Sequence, residues 1–134
     1  MDLPLKAPYK NGLDGACILV GEDEILIALD IAATLSEAGG TVIGPCTSIS
    51  HLLKLAQQEQ FSAAILDIQL GRKTTEPVAE ALDARGIPFL FYSGQRLPDS
   101  MRTRWPECVV LSKPVDQTSL VRAVKALLDA SRDV

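Results

Sequence analysis

A chain of 134 residues, 47% hydrophobic and 22% charged, has the length and composition of one ordinary globular domain; disordered, collagen-like and membrane-embedded classes are excluded. Its net charge of −4 leaves no surplus of positive charge for displacing counterions from phosphates, so no nucleic-acid partner is expected. The opening MDLPLKAPYKNG lacks a basic segment followed by an apolar one, and no run approaches the roughly 18 apolar residues of a membrane span, so the expected protein is cytoplasmic and without membrane contact.

Residues 1–14 contain Pro4, Pro8 and Gly12 and little periodicity, which predicts a flexible N-terminal arm, with the domain over 15–134. ACILV at 16–20 reads as a buried strand. After it Ile25, Ala28, Leu29, Ala32 and Leu35 share one helical face, and Gly39 and Gly40 supply the stop. TVIG at 41–44 is the second strand; Ser48 is a candidate N-cap for a helix whose Ile49, Leu52, Leu53 and Ala56 recur at helical spacing. AAIL at 63–66 is the third strand, followed by a helix carrying Val78, Ala81 and Leu82, with Pro77 in its first turn and Gly86 near its end. PFLFY at 88–92 is the fourth strand. Only DSMRTRW separates Pro98 from Pro106, so the fourth helix is predicted to be short or irregular. CVVL at 108–111 is the fifth strand, and Leu120, Val124, Leu127 and Leu128 stripe a last helix between Gln117 and Ala130.

Strand and helix alternate throughout, which predicts an α/β fold with a doubly wound, five-stranded parallel sheet, because each parallel crossover needs a helix to return the chain. The dinucleotide-binding order needs a glycine-rich turn after the first strand. Here that turn reads Gly21-Glu22-Asp23-Glu24, whose acids would repel a pyrophosphate, so the flavodoxin-like order 2-1-3-4-5 is predicted.

In that order ligands bind beyond the carboxyl ends of the strands, where strands one and three part. Glu22 and Asp23 follow strand one, Asp67 strand three, Ser93 strand four and Lys113 strand five. Carboxylates so gathered repel one another, and a hard divalent cation relieves this; magnesium suits, since it takes a few carboxylates and leaves positions for phosphate oxygens. Lys113 can pair with Asp67 and then with a phosphoryl oxygen, while the Ser93 hydroxyl donates to another. Cys17, Cys46 and Cys108 show no CxxC spacing and read as reduced core thiols; His51 reads as a helix-surface residue.

The acidic pair in VGEDE, the aspartate in AAILDIQL, the Ser-Gly in FYSGQ and the Lys-Pro in LSKPV together resemble the CheY-like receiver domain of response regulators, over about residues 16–130. The resemblance implies that Asp67 is a phosphoacceptor loaded by a sensor histidine kinase or a histidine phosphotransfer protein, in a signalling module and not an enzyme. It implies Mg2+ held by Glu22, Asp23, Asp67 and the Gln69 carbonyl. It also implies that Ser93, Gly94 and Lys113 bind the phosphoryl group and switch, and that the bond before Pro114 is cis. Receivers usually carry an aromatic residue where this chain has Val110, and the loop IQLGRKTTEP replaces a Met-Pro turn. With PFLFYSG, these features look like a subgroup of stand-alone receivers with a Phe-Ala-Thr-Gly type motif; Tyr92 stands in the Ala position, and Gln95 and Arg96 do not complete it. The route for a signal then runs through residues 94–105, with Tyr92 or Trp105 repacking. Arg72 and Lys73 are either a solvated pair or a means of steering an anionic phosphodonor.

Only about four residues follow the last helix, which favours a single-domain response regulator; the alternative is a receiver excised from a hybrid kinase or a longer regulator. A haloacid-dehalogenase-type phosphatase would need a general-acid aspartate where Gln69 stands. A flavodoxin-like binding module would have no use for the acidic pair, Asp67 and Lys113 together.

Overall fold

A computed structural model describes residues 12–132. In chain order its elements are β1 (Cys17–Gly21), α1 (Ile25–Glu37), β2 (Thr41–Cys46), α2 (Ile49–Gln58), β3 (Ala63–Leu66), β4 (Gln69–Leu70), β5 (Lys73–Thr74), α3 (Glu76–Ala84), β6 (Phe89–Ser93), α4 (Asp99–Arg104), β7 (Val110–Ser112) and α5 (Gln117–Arg132). Five strands form one parallel sheet in the order β2-β1-β3-β6-β7, the doubly wound arrangement expected from the alternation. The remaining two, β4 and β5, make a small antiparallel hairpin directly after β3.

Strand side chains alternate between the faces of the sheet, and this splits the core in two. Ile18, Val20, Ile65, Leu90 and Tyr92 point to one side and pack with Ile31 and Leu35 of α1 and with Leu120, Val124 and Leu128 of α5. Leu19, Ala64, Leu66, Phe89 and Phe91 point to the other, against Leu52 of α2, Val78 and Leu82 of α3 and Met101 of α4. The central strands are almost wholly apolar, with Ser93 at the end of β6 the polar exception, because both faces are covered. Gly21 ends β1 where a Cβ would lie 2.4 Å from a Leu52 methyl, so a larger residue here would force the buried Leu52 side chain to shift.

Helix α1 departs from its sequence reading. Its buried residues are Ala28, Ile31, Thr34 and Leu35, whereas Ile25 and Leu29 are 59% and 55% exposed. On a helix of 3.6 residues per turn those two lie to one side of the line through Ala28, Ile31 and Leu35, beyond what the sheet covers. Residues 1–11 of the arm expected over 1–14 fall outside the described residues; Leu13, which is described, is fully buried in the core shared with α1 and α5.

The fourth helix is six residues long, and Trp105, which ends it, packs edge-on against Phe89 with ring centroids 5.6 Å apart and lies 6.5 Å from Phe91. The three cysteines are free thiols; burial pushes Cys108 up to about 11. His51 is exposed on α2, whose N-cap Ser48 accepts a bond from the His51 N–H. No helix of the described residues is long and apolar enough to cross a membrane.

Candidate functional site

Asp67 stands one residue past β3, and its N–H donates to Gly21 O (2.9 Å), extending the β1–β3 ladder to the acid itself. Its side chain is nearly buried. Oδ1 accepts from Ile68 N (2.7 Å) and, at the limit of hydrogen bonding, from Gln69 N (3.5 Å), while Oδ2 accepts from Lys113 Nζ (2.9 Å). Lys113 arrives from the far edge of the sheet, just past β7; its N–H donates to Ser93 O (3.0 Å), and the Lys113–Pro114 bond is cis. The ammonium lies 5.6 Å from the centre of the Tyr92 ring, whose hydroxyl accepts from Val115 N.

Glu22 is almost fully buried, 1% exposed. Its Oε2 accepts from Glu24 N (3.1 Å). Its Oε1 lies 2.7 Å from Lys113 Nζ but off the direction that a hydrogen bond favours, so this buried oxygen lacks an aligned donor. Burial raises the Glu22 carboxyl above its usual range and the Asp67 charge adds to this, against the nearby Lys113 ammonium and the bond from Glu24 N. For Lys113 burial alone would lower the value, but the ion pair with Glu22 and the bond to Asp67 outweigh it and hold the ammonium charged.

The other residues named from the sequence border the same cleft of about 410 Å³, lined by Asp23, Glu24, Asp67, Gln69, Gly71, Ser93, Gly94, Gln95 and Lys113. They are not all in direct contact. Asp23 is exposed and its Oδ2 accepts from Gly71 N (2.8 Å) at the tip of the β4–β5 hairpin. Ser93 is buried and its Oγ accepts from Gln95 N (3.2 Å), which leaves its proton free to donate elsewhere. Arg72 and Lys73 are exposed on the hairpin. Val110 is partly exposed, on the edge strand.

Two features were not read from the sequence. Glu24, the third acid of VGEDE, reaches Lys113 Nζ at 3.3 Å, and its carboxylate, not that of Asp23, joins Glu22 and Asp67 in a trio with oxygens within 4.8 Å of one another. Across the mouth of the cleft, Gln95 Nε2 donates to Gln69 Oε1 (3.1 Å). Three carboxylates facing one ammonium, one of them with an orphaned buried oxygen, form a donor set of hard oxygens with surplus negative charge, and this fits a hard divalent cation such as magnesium.

No protein-family model matches the chain. The transcriptional regulatory protein PdtaR of Mycobacterium tuberculosis is 24% identical over 121 residues, which cover 87% of this chain and 58% of the relative, so the chain spans little more than half of that protein's length. Among solved structures, SdrG from Sphingomonas melonis Fr1 is 37% identical with a TM-score of 0.72, covering 87% of this chain and 98% of SdrG; SdrG has also been solved in a BeF3-activated conformation. A CheY-like response regulator receiver domain protein from Methanospirillum hungatei JF-1 shares the fold at 22% identity and a TM-score of 0.78, covering 90% of this chain and 98% of the other.

Proposed function

This chain belongs to the CheY-like family of response regulator receivers, and on that premise we propose that it takes a phosphoryl group onto Asp67 from a sensor histidine kinase or a histidine phosphotransfer protein. The observation that carries this reading is the nearly buried Asp67 at a strand end, its Oδ2 2.9 Å from an ammonium that buried Glu22 also holds at 2.7 Å. A carboxylate oxygen of Asp67 attacks the donor phosphorus. The P–N bond of a phosphohistidine, or the P–O bond of an acyl phosphate, breaks, its electron pair leaves with the donor, and Asp67 becomes an acyl phosphate. Lys113 offsets charge on the phosphoryl oxygens, and the free proton of Ser93 and the N–H of Gly94 donate to them.

Glu22 and Asp67, with the Gln69 carbonyl and either Asp23 on the rim of the cleft or Glu24, whose oxygen lies within 4.8 Å of theirs, would hold a magnesium ion, whose charge would favour the transfer. Gln69 carries no acidic proton, so it cannot serve as the general acid that a phosphatase of the haloacid-dehalogenase type needs two residues after its nucleophile. The module signals by conformational change and protein binding, as a single-domain regulator or as the receiver of a longer protein. Support for an acceptor role also comes from SdrG, whose activated form carries a beryllofluoride mimic of phosphate.

The test is intact-mass measurement after incubation with acetyl phosphate and Mg2+. One phosphoryl addition is expected on the native chain and none on Asp67→Asn. Equal labelling of that variant would defeat the assignment.

A further inference from the structure

We propose that Thr75 is a positioning residue for Asp67, acting through its side-chain hydroxyl without touching the transferred group; the inference rests on the reading of Asp67 as acceptor. Thr75 stands eight positions after Asp67, just ahead of α3, and is fully buried. Its Oγ1 donates to Asp67 O at 2.6 Å and lies 3.2 Å from Ile68 O, and its N–H donates to Ile68 O at 2.8 Å. Its own carbonyl accepts from Val78 N and Ala79 N, both at 3.0 Å, so it is anchored to the first turn of α3.

A peptide unit is planar, so what holds its oxygen also aims its N–H. The unit whose oxygen is Asp67 O carries Ile68 N–H at its other end, and that N–H donates to Asp67 Oδ1 at 2.7 Å. The next unit, with Ile68 O at one end, carries Gln69 N–H at the other, 3.5 Å from the same Oδ1. Thr75 therefore grips both peptide planes that follow Asp67 on their oxygen side, while their N–H ends face one carboxylate oxygen. With Oδ1 so engaged, Oδ2 is turned to Lys113 and the cleft. The second plane also leads into the hairpin residue Gln69, so the same knot bears on the carbonyl assigned to the metal.

The reaction needs a carboxylate held in line with the donor, and a small misplacement of a reacting group is enough to cost one or two orders of magnitude in rate. Thr75→Val keeps the shape and removes the donor; Thr75→Ser keeps the donor and removes a methyl group. With acetyl phosphate and Mg2+, followed by intact mass on the full chain, the serine variant is expected to label within about twofold of the native rate. The valine variant is expected to be slower by about tenfold or more at saturating donor, with the half-saturating donor concentration unchanged. Amide exchange should show Ile68 N–H losing protection in the valine variant while Ile65 N–H, one strand residue inside, keeps it; a general loosening would lower both.

A folded valine variant that labels at the native rate overturns the inference. If Thr75→Val does not fold, Thr75→Ser still decides: a folded serine variant labelled tenfold slower than the native chain assigns the role to packing of the methyl group and overturns it as well. Absence of labelling on the native chain brings down the reading of Asp67 itself, which is a separate and recognisable result.

Discussion

The site is assembled from the most buried and the least buried strands of the sheet. Strands β3 and β6 are buried in every residue, whereas β7 is three residues at the edge, with Val110 37% exposed and Val109 just before it 42%. Asp67 and Ser93 are therefore placed by packing, through backbone ladders that the core would have to break to move. Lys113 has no such support beyond its backbone bond to Ser93; its ammonium is placed by charge, between Glu22, Glu24 and Asp67. The acceptor should tolerate changes in local electrostatics, and the lysine should not.

The largest expected contrast is in stability. Phe91 is fully buried and packs against Phe89 and Trp105, so Phe91→Ala is expected to cost about 3–5 kcal/mol, against about 0.5 kcal/mol or less for Val110→Ala on the exposed edge. Denaturant unfolding of the two variants checks this, and similar losses would erase the distinction between the strands.

A smaller effect is expected at Lys113. Its replacement by alanine leaves buried Glu22 and Asp67 facing each other without their cation, at a cost of about 1–3 kcal/mol in metal-free buffer. Magnesium should then raise the melting temperature of Lys113→Ala more than that of the native chain, since the ion no longer competes with the ammonium. Equal shifts would mean that Lys113 is not what screens the carboxylates.

The smallest effect is expected where the chain leaves β7 for α5. There Asp116 accepts from Ser119 Oγ (2.7 Å) and Ser119 N (3.1 Å), and these bonds lower its carboxyl from the ordinary 3.8. A depressed carboxyl contributes stability above its unfolded value and loses it as pH falls through the folded one. The small advantage of the native chain over Asp116→Ala at neutral pH should therefore fade below pH 3.8, as followed by unfolding at stepped pH. An advantage that persisted there would remove the carboxylate from this account.

Much of the fold was legible in the residues because burial writes itself into spacing. ACILV, AAIL and PFLFY are apolar without interruption, as strands covered on both faces must be, and the shortness of the fourth helix followed from two prolines. Helix α1 was less legible, since Ile25 and Leu29 belong to an apolar pattern that the sheet is too narrow to cover. The β4–β5 hairpin left no clear mark, because two residues per strand are too few to show alternation.

The sequence by itself determined the layered α/β architecture, the strand order, and the meeting of Glu22, Asp67, Ser93 and Lys113 at one edge, because each follows from local period and from the rule that parallel strands end together. Which acid turns toward which partner was decided only in three dimensions. Asp23 bonds the hairpin tip at Gly71, Glu24 reaches Lys113, and Thr75 grips the peptides after Asp67, through contacts spanning 48, 89 and 8 positions of the chain. Such contacts depend on side-chain direction and on the path of a loop, and neither has a period that a linear sequence can display.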